Sequence, residues 1–174
     1  MGQAGAGKDT FARYMAERLE QRGEYVLVTH YADLLKFICT NFFGWDGKKD
    51  EPGRSLLQYV GTNKIRAKNP DFQAGVLAYL LKIFENEFDW VLIPDCRFPN
   101  EHEIMYKASR DNWLIKIERP GLESRLTVEQ QKHISENAMS DVMPDLVVNN
   151  AGSEYYLKCV AYDVADNWNN WMGV

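Results

Sequence analysis

The sequence predicts an α/β fold in which helices cover a parallel sheet. Three observations predict it. Helix-like and strand-like stretches alternate along the chain. A glycine-rich loop runs directly into an amphipathic stretch, and the apolar run at 89–94 ends on a carboxylate, Asp95. The length of 174 residues suits one compact domain, taken here as 1–174. A content of 45% hydrophobic and 26% charged residues places the chain among globular rather than disordered proteins.

The elements follow from spacing and punctuation. Residues 8–22 read as an amphipathic helix, with Phe11, Met15 and Leu19 at intervals of four and Gly23 as a stop. Residues 25–29 are a short buried-type strand, 32–43 a helix, and 44–53 a loop marked by three glycines and a proline. Residues 54–86 read as largely helical, broken near Asn69-Pro70 because the residue before proline disfavours helical geometry. A strand over 89–94 leads to a helix over 99–110 that opens on Pro99. Strands at 113–118 and 145–149 bracket a polar stretch, 119–143, that reads as a helical flap. Residues 153–171 close the chain as a helix carrying Leu157, Val160, Val164 and Trp168 on one face.

Charge and cysteine usage remove several classes of function. A net charge of -5 argues against a nucleic-acid binder that works by bulk electrostatics. Cys39, Cys96 and Cys159 are odd in number and widely spaced, which fits reduced thiols in a cytoplasm better than a disulfide framework or zinc site. No apolar run approaches the roughly 20 residues that span a bilayer, and the first residues do not read as a signal peptide.

The segment Gly2-Gln3-Ala4-Gly5-Ala6-Gly7-Lys8-Asp9-Thr10 matches the phosphate-loop pattern G-x-x-x-x-G-K, with Asp9 where a hydroxyl is usual. Glycines let backbone N–H groups turn inward around an anion, and the following helix offers its N-terminal dipole. Lys8 is placed to neutralise the β and γ phosphates of a nucleoside triphosphate. Asp9 is a candidate Mg²⁺ ligand, directly or through water, and Thr10 is the nearest hydroxyl. The alternative is an ordinary glycine-rich turn capping a helix. Only Met1 precedes Gly2, so the strand expected before such a loop, ordinarily the sheet's centre, is missing; the expectation is a shortened chain or a misplaced start.

Asp95 is the second candidate for the Mg²⁺ shell. Arg97, two residues on, shares its side of the extended segment and suits a phosphate through its fork of donors. A structural salt bridge to Asp95 is the other reading.

Five segments together carry a resemblance: GKDT from Gly7, YADLLK from Tyr31, RSLLQYVGTNKIR from Arg54, DCRFPNE from Asp95 and HISEN from His133. In this combination the chain resembles the bacteriophage-type deoxynucleoside monophosphate kinases over nearly its whole length. The resemblance implies a three-layer P-loop kinase fold with a central parallel sheet. It also implies phosphoryl transfer from ATP to a deoxynucleoside monophosphate with Mg²⁺, in the host cytoplasm if phage-encoded.

The residue roles are expectations on that basis. The acceptor is already an anion, so catalysis would rest on positioning and charge neutralisation. Lys8 would serve the donor phosphates, and Arg97 the acceptor phosphate or the group in transfer. Arg54 and Arg66 flank the acceptor region within 44–86; a solvated helix face is the alternative for each. Asp33 and Lys36 are acceptor-side candidates, Asp33 being equally suited to complement a helix dipole. Gln58 could bond a base edge with Tyr59 or Phe72 stacking on it, and Thr62 and Asn63 are further polar candidates. Within the lid-like segment 119–143, which also carries Arg119 and Lys132, Arg125 is the first choice for a lid arginine; an exposed charged helix is the other reading. His133 has no assignable chemistry, and His30 and His102 read as structural. A kinase for dephospho-coenzyme A or phosphomevalonate, and a nucleotide-binding module without turnover, remain as alternatives. An exposed sheet edge makes a homodimer the expectation.

Overall fold

The computed structural model describes residues 1–109, 111–122 and 138–171, with side chains as far as Trp168. Helix α1 spans Lys8–Gln21, and its Phe11, Met15 and Leu19 are buried as their spacing requires. Strand β1 is Val26–Val28, and α2 runs Ala32–Phe43. Helix α3, Glu51–Gln58, passes into a π-helical stretch, Tyr59–Arg66, before α4, Phe72–Ile83. Then come β2 (Trp90–Leu92), α5 (Pro99–Ala108), β3 (Ile115–Glu118), β4 (Leu146–Asn149) and α6 (Glu154–Trp171). Among the described residues no helix is long and apolar enough to cross a membrane.

Two local expectations need correction. The 44–53 loop gives up its last three residues to α3. Asp50 caps that helix by accepting from the Gly53 N–H at 2.9 Å, and Pro52 sits in the first turn, where a missing donor costs nothing. The second is the π-helical stretch, a form that periodicity does not announce. It contains Gly61, where a side chain would meet Leu35 of α2 at 2.8 Å, so the absence of a Cβ sets how closely that stretch approaches α2. Leu35, Cys39, Trp45 and Val60 form a small core there.

Among the described residues the strands are parallel but do not make one continuous sheet. β1 pairs with β2, and β3 pairs with β4, as two separate two-stranded pieces. Helices pack on both faces. Ile115 and Ile117 face the α1 and α6 cluster, where Leu19, Ala161 and Ala165 are fully buried. Leu114, on the opposite face by strand alternation, joins Met1, Ala74, Cys96 and Met105 on the α4 and α5 side. The small side chains Ala161 and Ala165 let α6 approach α1 closely, and Arg18–Asp166 and Lys158–Glu17 ion pairs fringe the contact.

Met1 behaves as the end of a strand. Its amino group donates to the Ile115 carbonyl at 2.5 Å, and its carbonyl accepts from the Ile117 N–H at 2.9 Å. That pair of bonds is the repeat of a parallel ladder. Gly2 follows with φ 139° and so close to β3 that a Cβ would lie 2.3 Å from the Ile117 carbonyl oxygen. Only glycine fits there.

Candidate functional site

The loop between Met1 and α1 is a tight turn in which Ala6 N–H donates to the Gln3 carbonyl at 3.1 Å. Gly7 holds φ 103° at the head of α1, and among the described residues no side chain caps that end. Lys8 folds back so that Nζ donates to the Gly2 and Gln3 carbonyls at 2.7 and 2.8 Å. An ammonium, a glycine turn and the N-terminus of a fourteen-residue helix therefore converge on one spot. That combination attracts phosphate.

Asn150, just past β4, holds the loop from beneath. It is buried, and its Nδ2 donates to the Ala6 carbonyl at 2.8 Å while its own N–H reaches Glu118 at 2.6 Å. A Cβ on Gly7 would lie 2.7 Å from that amide nitrogen, so Gly7 and Asn150 fit one another. The sequence reading passed over Asn150; its only signal is a polar residue ending an apolar strand.

Around the loop runs a chain of charges. Asp9 Oδ1 lies 3.0 Å from His30 Nε2, His30 Nδ1 lies 3.4 Å from Asp33, and Lys36 Nζ donates to Asp33 at 2.7 Å. His30, read from the sequence as structural, is thus reached by Asp9 and Asp33 from opposite sides of its ring, a proximity created by folding rather than by sequence spacing. The hydrogen bond from His30 lowers the Asp9 pKa to about 2, helped by the charges of Lys8 and Lys49. The same bond raises His30. Partial burial pushes Asp33 up, but Lys36 and the His30 N–H outweigh it, and the carboxyl ends below its ordinary value.

Asp95, beyond β2, turns both oxygens to the start of α2. It accepts from the Tyr31 N–H at 2.9 Å and the Ala32 N–H at 3.0 Å. Burial raises its pKa, and these two bonds together with the His30 and Arg97 charges work against that rise. Arg97 sits where its charge reaches Asp95, and its N–H donates to Glu101 at 2.8 Å. Glu101 also takes Arg66 at 2.6 Å, a pair whose side chains are 4% and 13% exposed, while the Arg66 guanidinium lies 3.5 Å over Phe98.

His30 thus links Asp9 with Asp33 and Lys36, Glu101 links Arg97 with Arg66, and Lys8 and Asp95 act on these groups by charge, all near the end of β2 and the start of α2. Arg54 bonds the Lys49 carbonyl at 2.8 Å and stays within its own loop. Gln58 is half-buried, Thr62 half-buried, Asn63 exposed, Tyr59 exposed beneath Lys64, and Phe72 37% exposed. Arg119 is exposed. Arg125, Lys132 and His133 lie outside the described residues.

With this geometry the chain is similar to two solved structures of one enzyme. One is the Mycobacterium tuberculosis APS kinase CysC Cys556Ala mutant, with TM-score 0.52 and 13% identity over 95% of this chain and 93% of that one. The other is the same kinase in complex with AMPPNP and APS, with TM-score 0.52 and 13% identity over 100% and 95%. The chain has a P-loop kinase fold. No protein-family model and no curated protein matches the sequence.

That fold implies Mg²⁺, and the donor set can be tested against it. Among the described residues no three His, Cys, Asp or Glu side chains cluster as metal ligands. Mg²⁺ does not need such a cage, because it retains waters and binds through substrate phosphates and one or two carboxylates. Asp9 fits: it is a hard oxygen donor, exposed at the loop and held ionised. Asp95 fits as an outer partner through water, since both its oxygens already accept backbone N–H groups.

Proposed function

We propose that this P-loop kinase fold transfers the γ-phosphoryl group of ATP to a small anionic acceptor, and that the acceptor is a deoxynucleoside monophosphate. The observation that carries the phosphoryl-transfer reading is the placement of Lys8 over the glycine loop at the head of α1, with the Asp9 carboxylate within reach of its charge. Lys8 would leave the Gly2 and Gln3 carbonyls for the donor phosphates, which replace them with a stronger, charge-assisted partner. Asp9 would hold Mg²⁺, which when bound supplies charge neutralisation at the transferring phosphate. Arg97 would orient the acceptor phosphate or the group in transfer. Asp33 and Lys36, at the start of α2, and Arg54, Gln58 and Arg66, along α3 and the π-helical stretch, would form the acceptor side. Arg125 would close from the lid. The acceptor class rests on the resemblance of the GKDT, RSLLQYVGTNKIR and DCRFPNE segments to the phage-type kinases.

The test incubates the protein with ATP, Mg²⁺ and each common deoxynucleoside monophosphate in turn, with APS in the same panel, and follows ADP. Formation of a deoxynucleoside diphosphate, abolished in Lys8→Ala, is expected. ADP formed only with APS would keep phosphoryl transfer and overturn the acceptor. A second reading, nucleotide binding without transfer, is favoured by the divided sheet under the loop. Saturable ATP binding with no product from any acceptor would establish it.

A further inference from the structure

Helix α4 is apolar on both of its faces. Within Phe72–Ile83 only Gln73, Tyr79 and Lys82 carry a polar side-chain atom. One face is accounted for, since Ala74, Leu77, Ala78 and Leu81 pack into the cluster with Met105 and Leu114. The other face turns away from that core. At about 100° per residue, Phe72, Gly75, Val76, Tyr79 and Ile83 fall in one arc, with Leu80 at its edge. Phe72, Tyr79, Leu80 and Ile83, with Phe84 just beyond, are 37% to 68% exposed. A surface helix ordinarily turns charge to water on that side, and a helix that is apolar all round belongs inside protein or membrane. The helix is about 18 Å long, too short to cross a bilayer. The arc is therefore a surface for another protein face.

Its size, shape and charges say which face that is. Five half-exposed side chains of about 200 Å² each leave roughly 500 Å² of apolar surface. That exceeds the few hundred Å² that mark an interaction site, and with a polar rim it approaches the about 800 Å² per partner of a stable dimer. Gly75 lies within the arc, and a Cβ there would meet nothing within 4 Å. No contact inside the chain calls for glycine, a poor helix former, but a gap at that point admits a side chain from outside. The exposed charges along the helix alternate as Lys68, Asp71, Lys82 and Glu85. A second α4 laid antiparallel about a two-fold axis near Leu77 sets Lys68 by the partner's Glu85 and Asp71 by the partner's Lys82. The same axis brings the partner's Tyr79 over Gly75. A parallel pair would set each charge against its own kind. The helix is also held firmly, since Asn100 of α5 donates to the Pro70 carbonyl at 3.0 Å and to Asp71 at 2.7 Å.

We propose that the exposed face of α4 is the interface of a symmetric dimer, in which two copies of the chain pack α4 antiparallel with Tyr79 of each seated over Gly75 of the other. The surface is a helix face and not a sheet edge, and it stands apart from the phosphoryl-transfer reading because its readout is mass. The experiment is sedimentation equilibrium of the full chain from about 1 to 100 μM. The parent chain is expected at twice its 20.1 kDa mass. Tyr79→Glu, which buries a carboxylate against the partner helix, is expected at the single mass with an unchanged circular dichroism spectrum. Lys68→Glu should raise the dissociation constant about tenfold, and adding Glu85→Lys should bring it back to near the parent value. That rescue reads the antiparallel pairing itself and does not depend on Tyr79→Glu folding. A dimer that survives Tyr79→Glu, or a charge swap that fails to rescue, places the contact elsewhere and overturns the proposal. A parent chain that stays single at every concentration overturns it as well. If such a chain sediments with phosphatidylserine vesicles, the face belongs to a lipid surface; if Tyr79→Glu lowers its melting temperature, another segment of the same chain covers α4.

Discussion

At the scale of single residues, the site depends on contacts of different legibility. Lys8 and the glycines before it are a local pattern, so the loop could be read from the sequence. His30, Asn150 and Glu101 matter through partners 21, 144 and 35 positions away, and no local pattern encodes that. The His30–Asp9 contact has a pH consequence. His30 is raised above its ordinary 6.5, so its contribution to stability is complete below that value and fades as pH climbs through the raised one. Asp9, lowered from 3.8 to about 2, contributes above its ordinary value and fades as pH falls toward 2. The pair is therefore fully formed between pH 3.8 and 6.5. Asp9 is 79% exposed, so the coupling is screened and belongs in a titration rather than a stability sum. In Asp9→Asn the ring resonances of His30 should titrate at lower pH than in the parent chain. An unchanged midpoint would mean the contact does not persist in solution.

At the scale of elements, boundaries came out where a single glycine or proline marks the break, as Gly44 does after α2. α2 begins and ends as its sequence pattern requires, and the break after the π-helical stretch falls at Asn69-Pro70. The start of α3 was missed because three glycines outweighed Asp50 and Pro52, whose capping chemistry is the better guide. The π-helical stretch ends on Arg66, and here a residue marked for substrate is held by the fold. Its guanidinium spans Glu101 and Asn100 and lies over Phe98. Burial raises the pKa of Glu101, and Arg66 is among the groups that oppose the rise. Removing one partner of such a pair leaves a buried charge uncompensated, at about 3–5 kcal/mol. Arg66→Ala should therefore lower the melting temperature by roughly 10 °C. Adding Glu101→Gln should recover most of it, since the amide still accepts from the Arg97 and Phe98 N–H groups. If Arg66→Ala melts like the parent chain while acceptor KM rises, Arg66 serves substrate and not the joint between the π-helical stretch and α5.

At the scale of the whole molecule, alternation of helix and strand was enough to read an α/β chain with parallel pairing, because each apolar run carries its own period. It was not enough to read how the strands associate. The order of strands depends on which edges meet, and the two pairs found here leave β2 and β3 unjoined. The phosphate loop lies where those pieces come together: Met1 and Gly2 lean on β3, Asn150 reaches up from β4, and Asp95 and His30 come from the β1 and β2 side. A ligand gripping Lys8, Asp9 and Arg97 at once would tie both half-sheets to α1, so its binding should appear as stability of the entire chain. MgATP at a hundred times its dissociation constant contributes about 2.7 kcal/mol to the folded state. For a domain of this size that raises the melting temperature by roughly 5–11 °C. The gain should shrink on chelating Mg²⁺ and vanish in Lys8→Ala. A calorimetric scan in which MgATP shifts parent and Lys8→Ala equally would place the nucleotide elsewhere on the surface, and the glycine turn would then be no more than the cap of α1.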